Sequence, residues 1–124
     1  MIRRVFLLSL AALAAAPALT AQQAARFNAV ALRRAFEALP EASRKKVQEE
    51  LRTGGFYRGA VDGRYGPGTE EALAAAAGFI IFNSRETVQL DLLTEPGTTA
   101  YLDGLVTGAL AGYLYGEGNE CDSC

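Results

Sequence analysis

Residues 47–73 read VQEELRTGGFYRGAVDGRYGPGTEEAL, and the punctuation of this stretch decides the fold. Val47 and Leu51 stand at i, i+4 among charged neighbours, the pattern of a helix with one buried edge. Gly54-Gly55 stops that helix, because glycine accepts the left-handed conformation that closes a helix end. Gly59, Gly63, Gly66 and Gly68 follow within a few residues, with Pro67 among them. A flexible linker of such glycine density would lack large apolar side chains. Here Phe56, Tyr57, Val61 and Tyr65 are threaded through it, so the spacing predicts a compact, ordered loop pinned by buried rings. Asp62-Gly63 makes a tight turn in which the carboxylate accepts loop N–H groups and glycine supplies positive φ. Thr69 is placed as the N-cap of the next helix, with Glu70 and Glu71 in its first turn, where carboxylates favour the positive end of the helix dipole. Gly66 is expected to let the loop pass close to the helices.

Outward from the loop, the remaining periodicity is helical. Residues 25–39 form a first helix, with Phe27, Val30, Ala31, Ala35 and Phe36 near a 3.6-residue period. Pro40 sits where a new helix begins, since its missing N–H costs nothing in a first turn. Glu41 to Thr53 is the second helix, with Arg44, Lys45, Lys46, Glu49, Glu50 and Arg52 expected in solvent. The third runs from Ala72 to about Phe82. Thr87 to Leu92 reads either as a short strand or as continued helix. A last helix opens at Thr94-Glu95-Pro96 and carries an apolar stripe of Leu102, Leu105, Val106, Ala109, Leu110 and Tyr113.

The quoted stretch resembles the peptidoglycan-binding-like domain, a three-helix module of bacterial cell-wall proteins. Its pattern runs V-Q-x-x-L, then G-[FY]-[YF]-x-G-x-[VI]-D-G-x-[YF]-G-x-x-T-x-x-A-[LV]. Val47, Gln48, Leu51, Gly55, Phe56, Tyr57, Gly59, Val61, Asp62, Gly63, Tyr65, Gly66, Thr69, Ala72 and Leu73 fill it at the right spacing. The resemblance implies an all-α fold and peptidoglycan, through its glycan strands or stem peptides, as the partner. Gly55, Gly59, Gly63, Gly66 and Thr69 are assigned to holding the loop and its cap. Tyr57, Arg58, Asp62, Arg64 and Tyr65 are the candidate ligand-binding set: aromatic faces stack on sugar rings and arginine pairs with muramyl-peptide carboxylates. One departure stands out. The family commonly ends its third helix with Phe-Gln, and here Ala76 and Ala77 take those positions. A missing ring leaves a void worth several kcal/mol. Phe79, Ile80, Phe82 and the stripe from Leu102 to Tyr113 are expected to fold back and fill it.

The N-terminus adds an address. Met1-Ile2-Arg3-Arg4, an apolar run from Val5 to Ala16, and the small residues around Ala18 and Ala21 have the order of a cleavable export signal. The run is too short and too alanine-rich for a membrane-spanning helix. Cleavage after Ala18 or Ala21 leaves a periplasmic or secreted protein with no membrane attachment. Residues 22–66 carry nine bases and five acids, whereas Pro67 onward carries one base, Arg85, and nine acids. Without an overall basic excess, nucleic acid is not an expected partner. Histidine is absent, which removes Ser-His-Asp and Cys-His catalysis and every imidazole zinc site. Arg64 and Gly66 interrupt the oxygen spacing that a calcium loop from Asp62 to Glu71 would need, so no metal and no cofactor are expected. Cys121 and Cys124 form a C-x-x-C, read outside the cytoplasm as a local disulfide, with an intermolecular tether or a metal or redox role as the lesser alternatives.

These readings combine into an all-α protein. A signal occupies 1–21, a peptidoglycan-binding-like module 22–82, a helical extension packing on it 83–115, and a cysteine-containing tail 116–124. The expected function is non-enzymatic binding of the cell wall. The alternative is an envelope protein–protein interaction module that keeps the fold without the ligand.

Overall fold

The structure, a computed structural model, describes residues 24–115, so the export signal and the Cys121–Cys124 pairing lie outside the described residues. It contains α1 (Ala29–Glu37), α2 (Glu41–Thr53), α3 (Pro67–Asn83), α4 (Glu95–Thr107) and α5 (Ala111–Leu114), and no strand among the described residues. The fold is all-α, as expected. No helix among these residues is long and apolar enough to cross a membrane.

Each helix end has a local cause. The first helix begins at Ala29 rather than at residue 25, because Asn28 Oδ1 accepts the N–H groups of Val30 and Ala31 and fixes the start there. Its buried edge is Ala31, Leu32 and Phe36, while Val30 lies exposed at 61 %. Pro40 is the N-cap of α2 rather than its first helical residue. That helix closes with a Schellman motif: Gly55 takes φ +87°, its N–H reaches Arg52 O at 2.9 Å, and the Phe56 N–H reaches Leu51 O at 2.8 Å. The same pair of bonds ends α3, from Arg85 N to Phe82 O and from Glu86 N to Ile81 O, but Arg85 and Glu86 stand there at φ 57° and 67° without being glycine. Thr87 to Leu92 forms neither strand nor helix. It is irregular chain ending in a single parallel bridge, Phe27 to Leu92.

One core runs through all five helices. Leu32 and Phe36 of α1, Val47 and Leu51 of α2, and Leu73, Ala76, Ala77 and Ile80 of α3 pack with Tyr101, Leu102 and Leu105 of α4 and with Leu110 and Leu114. Ala76 and Ala77 lie buried in this cluster, and C-terminal side chains fill the same core. Tyr101 is fully buried, and its hydroxyl donates to Leu73 O at 2.7 Å, so the ring enters the core without leaving a polar atom unpaired.

The filling set differs from the sequence expectation in detail. Phe82 is 47 % exposed, and Phe79 packs on Phe56 with ring centroids 5.5 Å apart. The stripe breaks because Gly108, at φ +85°, ends α4, so Ala109 and Tyr113 turn outward and Leu114 turns in. Two charged residues of α2 also depart from the solvated face. Glu50 is buried, held by Lys46 Nζ at 3.0 Å and by the Tyr115 hydroxyl at 2.6 Å. Arg44 donates to Leu39 O and Gly63 O, clamping the loop onto α2.

Candidate functional site

The loop from Gly55 to Gly66 is organised by Gln48, a side chain wholly inside the protein. Its Oε1 accepts the Gly63 N–H at 2.8 Å. Its Nε2 has two hydrogens and four acceptors in range: Arg64 O at 3.0 Å, Thr69 Oγ1 at 3.2 Å, Asp62 Oδ1 at 3.3 Å and Tyr57 Oη at 3.4 Å. A single amide thus satisfies both backbone polarities of the turn, which an apolar core residue could not do. Gln48 falls on a motif position between Val47 and Leu51, yet the sequence alone assigns it no role. The available signal is an amide one residue along from the buried edge of an otherwise charged helix.

The glycines of the loop separate by mechanism. Gly63 has φ +76°, as the Asp62-Gly63 turn requires. Gly59 is needed for contact: a Cβ there would stand 2.7 Å from Tyr57 Oη. Gly66 meets neither condition. Its φ is −157°, extended backbone, and a Cβ would meet nothing within 4 Å, so the expected close approach does not occur. Thr69 likewise is not a cap. Gly66 holds the N-cap position of α3, Pro67 is the first helical residue, and the Thr69 hydroxyl lies buried against the Gln48 amide.

Asp62, at the exposed corner of the turn, accepts the Arg64 N–H at 2.9 Å. That bond first, with the Gln48 amide and the Arg64 charge adding to it, holds its carboxyl below the ordinary aspartate value. Tyr57 is nearly buried, its hydroxyl donating to Ala60 O at 2.7 Å. Tyr65 is half-buried beside Phe36, with the Arg33 guanidinium 5.1 Å over its ring and its hydroxyl donating to Glu70 at 2.9 Å. Burial, then the Glu70 bond, push that phenol well above its usual value. Arg58 and Arg64 are exposed, and neither forms an ion pair with a described residue.

These side chains surround a groove of about 680 Å³ between the loop and the start of α3. All five residues of the candidate set line it: Tyr57, Arg58, Asp62, Arg64 and Tyr65. Phe56, Gly66, Gly68, Glu71 and Ala75, none of them in that set, complete much of the wall. Among the described residues, no group of three or more Cys, Asp and Glu side chains is placed to hold a metal. The groove offers two cations, two carboxylates, exposed backbone and partly covered rings.

Fold and groove together describe a small helical module built around a glycine-rich loop. Residues 40–76 match the model of the family described as "Putative peptidoglycan binding domain". The match spans α2, the whole groove loop and the first part of α3, and leaves α1, α4 and α5 outside it. No curated protein and no solved structure matches the chain.

Proposed function

We propose that this protein is an exported, non-catalytic binder of bacterial cell-wall peptidoglycan, which it holds in the groove between the Gly55–Gly66 loop and α3. The observation that carries the reading is the coincidence of two independent facts. The segment matching the peptidoglycan-binding family is the segment that builds the groove, and two arginines with no ion-pair partner among the described residues line that groove. Muramyl peptides carry carboxylates, and a guanidinium binds a carboxylate through paired, charge-assisted hydrogen bonds. Absence of histidine from the chain supports a binding role over hydrolysis by a histidine-dependent centre. The apolar N-terminal run supports delivery to the compartment where the wall lies.

Co-sedimentation of the purified protein with isolated sacculi at low and high ionic strength tests the proposal. Retention at low salt that weakens as salt rises is expected, because exposed charge pairs are screened over about 10 Å at 0.1 M salt. A protein that stays in the supernatant at low salt refutes it.

A further inference from the structure

Peptidoglycan presents two chemistries, neutral sugar rings and anionic stem peptides, and the groove is not equally suited to them. Sugar recognition by stacking needs a free aromatic face. Tyr57 exposes only 9 % of its surface, with its hydroxyl tied to Ala60 O. Tyr65 carries Arg33 over its ring, packs on Phe36, and spends its hydroxyl on Glu70. Phe56 is engaged by Phe79. The aromatic residues are thus largely committed to the fold.

The uncommitted groups are charged or bare. Arg58 and Arg64 line the groove without an ion-pair partner among the described residues. Of the two acids in the wall, Asp62 is already engaged by the Arg64 N–H and the Gln48 amide, which leaves Glu71 against two cations. Gly66 and Gly68 also line the groove, and neither is held to glycine by a steric clash. A Cβ at Gly66 meets nothing within 4 Å, and one at Gly68 meets only Tyr57 at an ordinary 3.7 Å. Bare backbone at these two positions keeps the groove open for a chain to lie close against it.

Resting on the wall-binding reading above, we infer that the ligand portion held in the groove is the carboxylate-bearing stem peptide, bound by Arg58 and Arg64, and not the glycan strand. Gly66 is the position that sets access.

The test is competition for sacculus retention of the full chain. Free stem peptide is expected to displace the protein, whereas peptide-free glycan strands and stem peptide with amidated carboxylates are not. Arg58→Gln and Arg64→Gln are each expected to weaken retention about tenfold, the loss of a charge-assisted hydrogen bond. Gly66→Leu is expected to abolish retention while the chain still unfolds cooperatively, its melting temperature lowered only by the roughly 1 kcal/mol that a poor N-cap residue costs, which separates blockage from unfolding. Displacement by glycan strands but not by stem peptide overturns the inference and leaves wall binding standing. Unchanged retention of Gly66→Leu or of both arginine variants overturns it as well. Failure of the wild-type chain to be retained at all defeats the wall-binding reading itself.

Discussion

Replacing Gln48 offers the most direct test of how the loop is held. Gln48→Ala leaves the Gly63 N–H without its partner and the Arg64 carbonyl with only the Thr69 hydroxyl at 3.5 Å, at a site where water does not reach the side chain. An unpaired buried polar group costs about 1–3 kcal/mol, so the two together predict a loss on the order of 2–4 kcal/mol after partial relaxation. For a domain of this size 1 kcal/mol moves the melting temperature by roughly 4–8 °C, which places the expected drop at about 10–25 °C. Gln48→Glu is the sharper probe. It keeps the acceptor for Gly63 but sets a carboxylate against Arg64 O, Thr69 Oγ1 and the Asp62 carboxylate. Its folded-state pKa is therefore raised above the ordinary glutamate value of about 4.3.

A raised acid binds more protons folded than unfolded, so stability must rise as pH falls toward about 4. The gain is about 1.4 kcal/mol for each tenfold difference in proton affinity between the folded and unfolded states. Wild-type behaviour has the opposite sign. Asp62 has a lowered pKa, so its contribution is present above its unfolded value of 3.8 and is lost as pH falls through the folded value. Urea unfolding followed by circular dichroism between pH 4 and 8 reads both. A loss below about 0.5 kcal/mol in Gln48→Ala, or a Gln48→Glu profile parallel to wild type, would refute the assignment of Gln48 as the loop's anchor.

Other perturbations probe the remaining joints. Gly59→Ala drives a Cβ against the fixed Tyr57 hydroxyl and should cost about 1–3 kcal/mol, while Gly66→Ala should cost no more than about 1 kcal/mol, the loss of a favoured N-cap residue; both are read as shifts in thermal midpoint. Arg85→Gly relieves a left-handed residue at the end of α3 and should stabilise by roughly 0.5–1 kcal/mol in urea titration, the strain released less the added chain entropy. Ending the chain after Phe82 removes Leu92, Tyr101, Leu102, Leu105, Leu110 and Leu114 from the core, and a calorimetric scan should show no cooperative transition; a cooperative transition would disprove the need for the extension. Tyr115 has its phenol raised to about 12, chiefly by its bond to Glu50, so its contribution is full below its unfolded value of 10.0 and is lost as pH climbs toward 12. Tyr115→Phe should flatten that alkaline loss in a pH series of melts.

Local chemistry was legible in the residues themselves. The bounds of α2, the Gly55 helix stop, the Asp62-Gly63 turn and the Thr94 start of the last helix depend on caps, glycine conformations and periodicity within a few residues, and the structure places them where the sequence did. The candidate set from Tyr57 to Tyr65 also converges on one groove, because a loop closed by its own turns has few ways to orient its side chains. What escaped the sequence depends on partners far along the chain. Gln48 and Thr69 look like an ordinary helix-surface amide and an ordinary cap until the loop folds over them and makes each the other's hydrogen-bond partner.

The same distance separates the remaining surprises. Glu50 is charged and helix-borne, and only Tyr115, 65 residues away, makes its burial tolerable. The stripe from Leu102 to Tyr113 is helical by period, but Gly108 breaks it so that Leu114 can reach the core under α3. By itself, then, the sequence determined the helical class, the bounds of α2 and the turns of the loop. Tertiary structure decided which polar groups are buried, which rings are committed to the fold, and which C-terminal side chains join the core, because burial is a property of neighbours and not of the residue that is buried.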